Sequence, residues 1–103
     1  MPDEPTCFIA LFTPCRETFP GDGTPEEFAK VSQHFEELKK DQANGVLVLA
    51  GRTQDHNPAG IYIFKAANME AAQKRINEDA AIKSGVFVLQ WIRPYAVALF
   101  SAP

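Results

Sequence analysis

Apolar residues fall in four short runs along this chain and recur at spacings of three and four in a longer stretch. The pattern predicts strands separated by helices. Cys7 to Thr13, rich in Phe, Ile and Leu and bounded by Pro5 and Pro14, reads as a buried strand. Pro14 to Asp22 carries Pro20 and Gly21 and is a loop by its breakers, long enough for Phe19 to serve as a lid. Thr24-Pro25-Glu26-Glu27 opens a helix: Thr24 can cap, Pro25 suits the first position and Glu27 completes a capping box. Phe28, Val31, Phe35, Leu38 and Gln42 make one stripe, with His34 a step beside it, and Asn44-Gly45 stops the helix. Val46 to Ala50 reads as a strand buried on both faces. Gly51 to Pro58 is a polar turn, and Ile61 to Phe64 is a third strand started by Gly60. Asn68 caps a helix from Met69 to about Asn77, with Met69, Ala72 and Ile76 inward. Asp79 to Ser84 adds a helical turn closed by Gly85, and Val86 to Phe100 reads as a long strand interrupted at Pro94.

The order is β-α-β-β-α-β, the split βαβ or ferredoxin-like arrangement of an α+β protein. Its helices cover one face of a four-stranded antiparallel sheet, so the other face should be polar in a monomer. Instead Phe8, Ala10 and Phe12 alternate with Cys7, Ile9 and Leu11. The last strand sets Val86, Val88 and Ile92 against Phe87, Leu89 and Trp91. An uncovered apolar face predicts a partner, most economically a homodimer whose sheets pack face to face as a dimeric α+β barrel.

Composition narrows the function classes. The 103 residues suit one domain, spanning residues 1–103. A net charge of −3, with ten basic residues in no patch, argues against nucleic acid as a partner. No apolar run is long enough for a membrane span, and the acidic start lacks the features of a signal peptide. Cys7 and Cys15 have no metal or redox spacing, so a reduced cytoplasmic protein is expected. His34 and His56, without clustered acids, give no metal site, and no glycine-rich phosphate loop is present. No cofactor is expected.

The candidate chemistry centres on His34 and Asp79. An imidazole oriented by a carboxylate moves protons near neutral pH. From the residues alone, His34 also reads as a half-buried helix residue satisfied by a backbone carbonyl. Arg52 and Gln54 stand where they can bind an anionic substrate oxygen, Arg52 in bidentate fashion, or else lie on a solvated turn. Tyr62 is a candidate wall of an aromatic-ligand pocket, although strand tyrosines more often pack. His56, in a polar turn, reads as surface.

Two spacings carry a resemblance. His34 is followed by Gly45 and then by Ala50-Gly51 at the end of an apolar strand. Further on, Glu70-Ala71 leads to Asp79 and then Gly85-Val86. In both respects the chain resembles the YCII-related family of the dimeric α+β barrel superfamily, over roughly residues 7–97. It departs from that pattern at Arg52 and Ala80, where the family usually has proline. The resemblance implies a ferredoxin-like homodimer with a His–Asp pair, here His34 and Asp79, in a cleft. It also implies lyase-like or isomerase-like chemistry on small, often aromatic, compounds. The alternative is a non-catalytic module that binds a small molecule or docks another protein.

Overall fold

The computed structural model describes residues 7–103, and its elements follow the expected order. Strands β1 (Cys7–Pro14), β2 (Leu47–Arg52), β3 (Gly60–Lys65) and β4 (Phe87–Pro94) form one antiparallel sheet in the order β2-β3-β1-β4. Helices α1 (Pro25–Ala43), α2 (Met69–Asn77) and the short α3 (Ala80–Lys83) connect them. This is the ferredoxin-like α+β fold.

The core lies on one face of the sheet. Phe8, Ala10 and Phe12 alternate inward along β1 and pair with Phe64, Tyr62 and Gly60 of β3. Leu38 from α1 and Ala72 and Ile76 from α2 close over them. Each large side chain so buried contributes about 1.5–3 kcal/mol of hydrophobic stabilisation. The start of α1 forms as expected: Thr24 Oγ1 accepts from Glu27 N at 3.1 Å, and Thr24 N donates to Glu27 Oε1 at 2.9 Å. Gly45, just past the helix, takes the left-handed conformation at φ 74°.

Four expectations are corrected. The inward seam of α1 is not the Phe28–Phe35 stripe, since those rings are 44% and 58% exposed while His34 and Leu38 are buried. Val31, His34, Leu38 and Asp41 form an equally regular helical stripe. A polar residue can occupy it once its hydrogen bonds are met, here by residues distant in sequence. Met69, in the first turn of α2, is likewise exposed. Strand β2 is not buried on both faces but is a sheet edge, with Leu49 and Ala50 exposed. Finally, β4 ends at Pro94, and residues 95–103 have no regular structure.

Strand β4 also breaks the simple alternation. Leu11 pairs with Trp91 and Phe12 with Leu89, leaving Gln90 as the extra residue of a bulge. Leu89 and Ile92 therefore both pack on the core, while Val88 and Trp91 share the opposite face with Ile9, Leu11, Ile61 and Ile63. That face is apolar and carries no helix.

Gly60 fixes the end of β3 nearest the candidate site. A Cβ there would lie 2.5 Å from a ring carbon of Phe12, which in turn is held edge-on to His34 and stacked on Phe87. Gly60→Ala is expected to cost about 1–3 kcal/mol in urea unfolding, the usual penalty for overpacking a fixed ring. An unchanged unfolding midpoint would show that the ring gives way freely.

Candidate active site

The site grows out of the start of α3. A helix leaves its first amides without partners inside the helix, and here each is met. Ala80 N donates to Glu37 Oε1 of α1 at 3.0 Å. Ala81 N and Ile82 N donate to Asp79 Oδ1 at 3.0 and 3.3 Å, and Lys83 N donates to Asp79 O at 2.8 Å. Asp79 is therefore an N-cap, and capping uses only one of its carboxylate oxygens.

The other oxygen, Oδ2, lies 2.7 Å from Nδ1 of His34. Both groups are buried, Asp79 at 3% and His34 at 8% exposure. Burial pushes the Asp79 carboxyl up. The hydrogen bond and charge of His34, followed by the amides of Ile82 and Ala81, outweigh it and leave the carboxyl below its ordinary value. An ionised carboxylate only accepts, so Nδ1 of His34 carries the proton between them. Nε2, the other ring nitrogen, makes no hydrogen bond to another described residue. Phe12 and Phe87 stand edge-on to the imidazole, with ring centres 5.8 and 5.3 Å away.

Behind the pair lies a second polar group that sequence reasoning missed. Arg75, one helical turn before Asp79, places Nη1 3.9 Å from Asp79 Oδ2. Its Nε donates to Asp41 Oδ2 at 2.8 Å, and the Tyr62 hydroxyl donates to the same oxygen. The signal was available as periodicity. Asp41 lies two turns after His34 on the same helix face, and Arg75 lies four residues before Asp79.

The other expected residues separate. Tyr62 is 2% exposed and its ring stacks on Phe64 at 4.4 Å, so it meets the site only through Asp41 and Arg75. Burial, then the bond to Asp41, pushes its phenol well above the ordinary value. Arg52 is exposed, but register sets it in the cross-strand row Arg52–Gly60–Phe12–Leu89, on the face that carries the site. Gln54 lies in the exposed turn beyond β2, and His56 is also exposed.

The loop after β1 closes over this corner. Arg16 binds both oxygens of Glu27 at 2.7 and 2.8 Å and both oxygens of Asp22, which draws the loop onto the first turn of α1. The Arg16 hydrogen bond, then the Thr24 amide, lowers the Glu27 carboxyl to about 2. Phe19, 5% exposed, stacks on Phe28 and stands edge-on to Phe87, the ring that walls His34. Two shallow hollows flank the site. One of about 360 Å³ lies between Thr13, Pro14 and Arg16 and the turn at Asn57-Pro58. The other, about 430 Å³, lies over Gln33, Glu37, Ala80 and Lys83. His34 lines neither.

Among the described residues, no cluster of three His, Cys, Asp or Glu is placed to hold a metal ion, and no helix is long and apolar enough to cross a membrane.

A ferredoxin-like sheet with a buried imidazole–carboxylate pair between its helices thus defines the class of protein. The chain belongs to the YCII-related domain family, whose model matches residues 8–95. No curated protein matches the chain.

Proposed function

We propose that this protein is a cofactor-free enzyme in which His34 acts as general base and Asp79 orients and stabilises it. One observation carries the reading. A buried imidazole is held through Nδ1 at 2.7 Å by a carboxylate that is itself anchored by two amides, leaving Nε2 uncommitted. A helix histidine kept only for packing needs no such tether. In the catalytic step Nε2 takes a proton from an acidic C–H or O–H of the substrate, and the anion of Asp79 stabilises the imidazolium. The proton then returns to a different substrate atom, for double-bond migration, or to a leaving group, for elimination. Phe12 and Phe87 favour a flat, apolar substrate, an aromatic or lactone-like small molecule. Arg52, in the cross-strand row that carries Phe12, is the group assigned in this reading to hold an anionic oxygen of it.

The working form in this reading is a homodimer through the uncovered sheet face. Leu49 and Val88, 42% and 44% exposed on that face, support it. A stable partner buries about 800 Å² per chain. The free thiols of Cys7 and Cys15 suit the reducing cytoplasm. Light scattering should give twice the chain mass of 11.4 kDa, falling to one chain in the double variant Leu49→Glu, Val88→Glu. A double variant that keeps the native mass would exclude this face as the interface.

The test of function is a thermal-shift screen of phenols, lactones and carboxylic acids, followed by product analysis of the hits. Hits that are turned over by the native chain and not by His34→Gln support the enzyme. Stabilisation without product favours a binding module, and stabilisation indifferent to His34 removes the site from consideration.

A further inference from the structure

The polar group behind the pair is unequal in its geometry. The guanidinium of Arg75 lies between two carboxylates. It approaches Asp41 Oδ2 closely through Nε at 2.8 Å and Nη2 at 2.7 Å, but Asp79 Oδ2 only at 3.9 Å. Nη2 is buried and lacks the direction of a hydrogen bond to Asp41, so that contact is coulombic. The Tyr62 ring lies 5.5 Å from the guanidinium carbon, and its hydroxyl holds Asp41 from the other side. The Asp79 oxygen that Arg75 approaches is the one that holds His34.

We propose that Arg75 is a positioning residue whose cation partly offsets the Asp79 anion and so keeps His34 in its proton-accepting form, with Asp41 and Tyr62 setting how far that cation reaches. The inference deepens the general-base reading and rests on it for its functional meaning. A fully uncompensated Asp79 would over-stabilise the imidazolium and leave the ring protonated and unable to accept. A cation released from Asp41 would do the reverse, competing with His34 for Oδ2. The other charged groups near the pair are accounted for. Glu37 of α1 accepts the Ala80 amide, Arg16 of the loop is bound to Asp22 and Glu27, and Lys30 of α1, Glu78 after α2 and Lys83 of α3 are exposed. Phe12 of β1 and Phe87 of β4 bring no charge.

The test is an NMR titration of the His34 ring, with exposed His56 as internal reference. Removing the cation in Arg75→Met is expected to move the His34 midpoint up by about one pH unit. Freeing it in Asp41→Asn moves the midpoint down, and Arg75→Lys, which keeps the charge, stays nearer the native value. A merely structural role lowers the melting temperature in all three and leaves the midpoint in place. Midpoints that fail to move, or that move the same way in Arg75→Met and Asp41→Asn, overturn the proposal. Should Arg75→Met not fold, Asp41→Asn and Arg75→Lys decide it. The titration needs no substrate, so opposite shifts in a protein without turnover would sink the enzyme reading alone. Turnover that requires His34, with midpoints unmoved, would sink this inference alone.

Discussion

His34→Gln is expected to lower turnover of any true substrate by about 10²–10⁴-fold while the fold survives. The substitution separates two duties of the side chain. A glutamine amide can still donate to Asp79 Oδ2, so the buried carboxylate keeps a partner and its two amide bonds. The same amide cannot accept a proton near neutral pH, so the step assigned to Nε2 stops. His34→Ala should lose activity to a similar degree but also cost about 1–3 kcal/mol of stability, because Asp79 is left short of a buried donor. Turnover, melting temperature and circular dichroism on the two variants read these duties apart. Activity retained in the glutamine variant would end the role of His34 as base.

Asp79→Ala should be the most destabilising single change at the site, by about 3 kcal/mol. It removes a helix cap, worth about 0.5–2 kcal/mol, and strands buried donors at about 1–3 kcal/mol. That is a large part of the stability of a typical domain, about 5–15 kcal/mol. Asp79→Asn should lose less, since asparagine caps a helix as well as aspartate does. Its amide, however, donates toward Nδ1 and moves the ring proton to Nε2, so activity falls with the cap intact. Acid separates charge from cap. The folded Asp79 carboxyl lies below its ordinary value, so on acidification the unfolded chain takes up the proton first, near pH 4. The stability Asp79 contributes is therefore complete above that pH and is lost as the pH falls through the folded value. Urea midpoints of the native and Asp79→Asn chains should differ at pH 7 and converge as the pH falls below about 4. A constant gap across that range would show that the carboxylate charge contributes nothing to the native state.

Much of the fold was legible because it is local. The capping box at Thr24 and Glu27, the stop at Gly45 and the four apolar runs each act over a few residues, and together they prescribe the element order. The errors lie where two elements had to meet before the answer existed. Both Phe35 and His34 lie on regular helical stripes, and only the arrival of Asp79 from the turn after α2 decides which one turns inward. A one-residue bulge at Gln90 exchanges the faces of Trp91 and Ile92, which no alternation in one strand can reveal. Tyr62 looked like a pocket wall by type, yet its hydroxyl is committed to Asp41 and its ring to Phe64.

The sequence by itself determined the kinds and order of the elements and the apolar character of both sheet faces. These follow from backbone propensity and side-chain period, which every residue carries with it. The tertiary structure alone decided that Asp79 divides its oxygens between a helix end and an imidazole. It also set Arg75 between two carboxylates and made Phe12 and Phe87 the walls of the ring. Those are distances between groups far apart along the chain, and they exist only once the helices have closed on the sheet.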